Sequence, residues 1–126
     1  MQVIQFYAAV LGLVFVALSV RTLRLRRSLQ VAVGDGGNIV MLRAMRAHAN
    51  FAEYVPLCIV LLYLVQVQGA PAWLLHLLGM GLLVGRLSHA YGVSREPENF
   101  RFRVFGMAMT FGVLGVTCMR LLLATL

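Results

Sequence analysis

The chain has 126 residues, of which 61% are hydrophobic and 12% charged, with a mean hydropathy of +0.88. A soluble domain of this size carries about a quarter charged residues, and no single small core could bury this apolar excess, so lipid is the expected solvent. The formal net charge of +7 comes from eleven arginines and no lysine, set against Asp35, Glu53, Glu96 and Glu98. Those arginines flank apolar runs and are not interleaved with base-stacking aromatics, which argues against nucleic acid and for the positive-inside rule.

One domain with four spans is predicted, each span needing roughly 20 apolar residues. The first helix covers about residues 2 to 30: twenty uncharged residues span the membrane, then Arg21, Arg24, Arg26 and Arg27 leave it. With no positive region ahead of the apolar run, this is read as a retained helix and not a cleaved signal. Gly34 to Gly37 (GDGG) is a turn, and without a following Lys-Ser/Thr it is no phosphate loop.

The second helix is expected from about Ile39 to Val67, with Gln68, Gly69 and Pro71 breaking it without formal charge. The third runs from about Ala72 to Tyr91. Its GMGLLVG segment (79–85) resembles a dinucleotide fingerprint only superficially, because no strand precedes it; Gly81 and Gly85 fit close helix contact better. The polar loop around Pro97 and Asn99 leads to a fourth helix, from about Arg101 to Ala124. Cys58 and Cys118 lie inside apolar runs, far apart and without metal spacing, and read as small buried residues. The arginines crowd into the 1–2 and 3–4 connections, so these face the cytoplasm and both termini lie outside.

The chemistry concentrates where the second helix turns apolar, in RAHANFAEYVP (46–56). At about 100° per residue, Arg46, Asn50 and Glu53 fall within about 60° of one another, and Arg43 falls beside them. His48 lies on another face. A charge at mid-bilayer costs about 2.5–3.5 kcal/mol, so Glu53 must face the bundle and pair with a cation to stay ionised. Arg86 and His89 share one face of the third helix at i and i+3. Arg101 and Arg103 open the fourth helix, and Arg21 or Arg24 ends the first span. Two readings of this layer stand: interhelical salt bridges with headgroup anchoring, or a site for an anionic ligand. The excess of arginine over its single acid favours the second, since guanidinium matches carboxylate bidentately.

RAHANFAEYVP, with GRLSHAYG (85–92) and RVFG (103–106), resembles the MAPEG family, the membrane-associated proteins in eicosanoid and glutathione metabolism, and within it the small bacterial YecN-like branch. The resemblance covers almost the whole chain, and R-x-x-x-N-x-x-E in its setting is its strongest motif. It implies an all-α membrane protein, a four-helix bundle assembled as a homotrimer, with sites between neighbouring subunits near the cytoplasmic face. It also implies a bacterial inner-membrane location.

By the same resemblance Arg46, Asn50 and Glu53 bind glutathione as co-substrate, with Glu53 taking its ammonium, and Arg86 and His89 contribute from the third helix. Arg24 holds a glutathione carboxylate, with Arg21 and Arg26 as close competitors, and Arg103 stabilises the thiolate. The implied second partner is a hydrophobic small-molecule or lipid electrophile arriving through the bilayer. One departure is Val93, where some members carry a tyrosine; Tyr91 either substitutes as a hydroxyl donor or is an interfacial aromatic. The fourth helix also lacks the tyrosine and serine of the prostaglandin-forming branch. The function implied is a glutathione transferase or glutathione-dependent peroxidase. A noncatalytic lipid- or protein-binding member is the alternative. A small four-span multidrug transporter ranks last, because the first span holds no carboxylate.

Overall fold

The computed structural model describes residues 2–126 and consists of four helices: α1 (Val3–Leu29), α2 (Ile39–Val67), α3 (Ala72–Ser94) and α4 (Phe100–Leu123). Their boundaries follow local chemistry. Helix α1 ends with Arg26 and Arg27 in its last turn, where cations complement the helix dipole, and with Gln30 in the left-handed region. The Arg26 guanidinium then donates 2.9 Å to the Gly34 carbonyl, tying the 1–2 turn back onto the helix. Asn38 caps α2 by accepting from the Val40 and Met41 amides, and Asn99 caps α4 by accepting from the Phe102 amide. Helix α3 continues to Ser94, beyond the Tyr91 end expected from sequence, because Gly92 is buried against α4 and packing overrides the weak helix preference of glycine.

Helices α2 and α3 are central: each touches both α1 and α4, whereas α1 and α4 do not touch one another among the described residues. The core joins Ile4, Tyr7 and Leu11 of α1 to Phe51, Cys58 and Leu62 of α2, and to Leu75, Leu78 and Leu82 of α3. Cys58 is buried and Cys118 half-buried, both as free thiols. Outside that core the surface is apolar, with Leu13, Val16, Leu57, Val60, Phe111 and Val116 all exposed, as expected where lipid replaces water.

By length and composition α1, α2 and α4 are able to cross a membrane. Helix α3 misses that mark because His76, Arg86 and His89 dilute its apolar run, yet Arg86 and His89 are buried inside the protein, where lipid does not meet them. Its 23 residues span about 35 Å, enough to cross the hydrocarbon core.

The α3–α4 pair is the most intimate and sets the site. Gly85 and Gly106 let the two backbones meet: a Cβ on Gly106 would lie 2.5 Å from the His89 amide nitrogen, and one on Gly85 would lie 2.8 Å from Met109 Cβ. At Gly92 an added Cβ would lie 2.6 Å from the Arg103 amide nitrogen. Gly112, farther along α4, has nothing within 4 Å. Gly106→Ala should therefore cost roughly 1–3 kcal/mol through overpacking and lower the unfolding midpoint in detergent. Gly112→Ala, scanned in the same way, should leave the midpoint unchanged or slightly raised.

Candidate functional site

At the arginine-rich end of the bundle a cavity of about 250 Å³ opens between α2, α3 and α4. Its polar lining is Arg43, Arg46 and Asn50 from α2, His89 from α3, Glu98 from the 3–4 loop, and Arg103 from α4. Helix periodicity puts Arg43, Arg46 and Asn50 side by side, and the glycine contacts bring α4 close enough to α3 to set Arg103 opposite them. The lining is rich in donors. Arg46 and Arg103 are exposed, Asn50 and Arg43 half-buried, and His89 buried.

Beneath this cavity Arg86 is 1% exposed. It donates 2.7 Å to Asn50 Oδ1, more weakly (3.4 Å) to the Asn50 carbonyl, and 3.6 Å to Met107 Sδ. The Tyr54 ring lies 5.8 Å from the guanidinium centre and adds a cation–π contact. No carboxylate pairs with Arg86 among the described residues, and its Nε has no partner. The charge is thus held by dipoles and a ring face, and Asn50 is its best acceptor. Two residues expected to contact a ligand side by side are in fact bonded to each other, with Arg86 behind Asn50.

Other cations at this end of the bundle are engaged as well. Arg43 donates 3.2 Å to the Val93 carbonyl at the end of α3, and its Nε lies 4.0 Å from Glu96. Arg103 donates 2.5 Å to Glu98. Arg21, at the end of the first span, donates 2.6 Å to Ser94 Oγ.

The sequence-expected residues divide into two groups. Arg46, Asn50, His89 and Arg103 meet around one cavity, with Arg86 directly beneath. Arg24, Glu53 and Tyr91 do not join them within one chain. Arg24 is exposed in a separate groove along α1 with Val16, Val20, Arg21 and Ser28. The reason is topological: the cavity lies on the α4 side of the bundle, and α1 does not reach α4. Tyr91 is two residues from both His89 and Val93, so it turns away from the cavity. It bonds to the Arg95 guanidinium and packs edge-on against Phe102.

Glu53 is exposed, with no cation within 4.0 Å among the described residues, contrary to its expected pairing inside the bundle. Burying an unpaired carboxylate would be costly, and the buried arginine, Arg86, is committed to Asn50. Glu98 was the lining residue that sequence reasoning missed. Its signal was its place five residues before Arg103, just ahead of the α4 cap, where a loop acid can turn back onto the first helical turn. His48 lies on another face of α2 from the stripe, as its angle predicted; that face meets α1, where His48 is stacked on Phe15 at 4.8 Å and bonded to Ser19.

The family model that matches this chain is that of the MAPEG family, over residues 4–123. The chain belongs to the MAPEG family. Its relatives include the inner membrane protein YecN of Escherichia coli K12, 40% identical over 108 residues that cover 86% of this chain and 81% of that protein. YecN of Escherichia coli O6:H1 matches to the same extent. The four-helix architecture of this MAPEG chain and its apolar exterior are those of a multi-pass membrane protein.

The Asn50–Arg86 bond gives a direct test. Asn50→Leu strands a buried guanidinium and should cost about 2 kcal/mol in detergent unfolding. The double variant Asn50→Leu, Arg86→Met should recover part of that loss, and purely additive losses would show that the bond does not couple α2 to α3.

Proposed function

We propose that this MAPEG protein is an inner-membrane glutathione transferase or glutathione-dependent peroxidase acting on hydrophobic electrophiles. The observation that carries the reading is the convergence of Arg43, Arg46, Asn50, His89 and Arg103 on one cavity in a chain of this family. Glutathione presents two carboxylates, an ammonium and a thiol. Arg46 and Arg43 suit its carboxylates, because guanidinium forms charge-assisted, bidentate pairs with them. Asn50 offers an amide N–H while its oxygen is held by Arg86.

Arg103 stands in the first turn of α4, where its own charge and the helix N-terminus favour an anion. A thiol there loses its proton more readily, and the thiolate is the nucleophile. In the transferase reaction the thiolate sulfur forms a bond to the electrophilic carbon as the leaving group departs or the double bond's electrons move to an adjacent atom. The apolar exterior supplies a route by which such an electrophile arrives from lipid.

Glu53 and Arg24 enter this proposal through assembly. Both are exposed and neither has an ion-pair partner among the described residues, Glu53 where the helix has turned apolar and Arg24 just beyond the first span. A homotrimer would cover them and bring Arg24 of the partner subunit toward the α2 stripe. Glu53 would then receive a cation or the glutathione ammonium.

A noncatalytic lipid- or protein-binding role is the second reading. It is favoured by the mutual satisfaction of Asn50 with Arg86 and of Arg103 with Glu98, which a purely structural layer would also display.

Saturable glutathione binding and thiolate absorbance of the protein in detergent separate the two. Wild type should show both signals. Arg103→Ala should lose the thiolate signal while retaining part of the binding, and Asn50→Ala should weaken binding about tenfold or more. Absence of both signals in wild type contradicts the enzyme reading.

A further inference from the structure

The 3–4 loop carries two of the chain's four acids, and each reaches an arginine of the cavity. Glu96 lies 4.0 Å from Arg43, and Glu98 lies 2.5 Å from Arg103. These are the two ion pairs found among the described residues. They differ in kind. Glu96 is half-exposed and stands outside the cavity lining, whereas the Glu98 side chain is only 15% exposed and lines the cavity itself. Glu98 is the one acid in a lining that holds three guanidinium groups.

We infer that Glu98 is an internal carboxylate that masks Arg103 in the empty site and gives way to the anionic group of the incoming ligand. This rests on the reading of the cavity as a glutathione site. A guanidinium already paired with a carboxylate presents little net charge to a third group. Arg103 can therefore favour the thiolate form of a bound thiol fully only when Glu98 has moved aside.

The masking pair is easily opened. Arg103 is 46% exposed, and pairs this wet hold their partners by a factor of up to about five. Glu98 also sits in the loop, one residue ahead of the α4 cap, so it can leave by side-chain rotation and a loop shift while both helices stay in place. The mask thereby selects ligands. A thiolate or carboxylate competes for Arg103, and a neutral thiol does not. In the empty state it also spares the membrane edge an uncompensated cation.

The test compares wild type with Glu98→Gln, which keeps the size and removes the charge, and with Glu98→Asp, which keeps the charge. Two readouts are taken: glutathione affinity with thiolate absorbance across pH, and the rate at which phenylglyoxal modifies Arg103 in the ligand-free protein, followed by peptide mass spectrometry. Glu98→Gln should bind glutathione about two- to fivefold more tightly and show thiolate at lower pH. It should also label Arg103 several-fold faster, with Glu98→Asp closer to wild type in all respects.

Weaker glutathione binding in Glu98→Gln overturns the proposal and makes the pair a structural brace for the loop. Equal labelling of Arg103 in every variant overturns it whatever glutathione does. Faster labelling with no glutathione binding by any form, wild type included, upholds the mask and removes glutathione as its ligand. Should Glu98→Gln fail to fold, a Glu98→Asp protein whose Arg103 labels no faster than wild type while its glutathione affinity falls overturns the proposal.

Discussion

A guanidinium buried among four apolar helices must be satisfied, and the rest of this structure is arranged around that demand. Among the described residues Arg86 has no carboxylate partner, and its charge is met by the Asn50 side chain, the sulfur of Met107 and the face of Tyr54. Leaving such a group without acceptors would cost several kcal/mol. Asn50 and Tyr54 lie on one face of α2, and Met107 on α4, so satisfying Arg86 fixes how both helices are rotated against α3. That rotation is what aims Arg43 and Arg46 at the same space as Arg103. The close α3–α4 approach at Gly85 and Gly106 then sets the width of the space.

The result is a cation-rich recess at one end of the bundle. Three arginines line it against one internal acid, while Glu53, one turn deeper on α2, turns outward with no cation partner among the described residues. Lipid is a poor neighbour for a carboxylate, and Arg24 lies in a separate groove along α1. In the proposed homotrimer a second copy of the chain would lie against the α2 face and cover both. The proposed site is thus part fold and part assembly. In the proposed function the fold supplies the recess and an end of α4 that would favour a thiolate, and a homotrimer would supply the remaining charge balance.

Much of this was legible in the sequence because it depends on periodicity. The spacing of Arg43, Arg46 and Asn50 fixes a stripe on any helix, and the alternation of apolar runs with arginine clusters marks the spans. Sequence could also place Arg86 and His89 on one face. It could not say that Arg86 would turn to Asn50 and not to Glu53, since that choice depends on the rotation of α2 about its axis. Nor could it place Arg24, because which helices touch is decided by the packing of α2 and α3 at the centre. Glu98 escaped notice for a different reason. Loop residues carry no periodicity, and the reach of a loop acid is set by how the following helix is capped. The extension of α3 past Tyr91 follows the same logic, since burial of Gly92 against α4 outweighs the local preference of glycine to end a helix.

The central claim is that the recess between α2, α3 and α4 is a glutathione site completed by a neighbouring subunit. It is tested most directly by an experimental structure of the full chain in lipid nanodiscs at saturating glutathione. The account predicts a trimer with glutathione density against Arg46, Asn50 and Arg103, and a cation or the ligand's ammonium beside Glu53. An empty recess at saturation, or glutathione bound elsewhere with Glu53 still facing lipid, would contradict it.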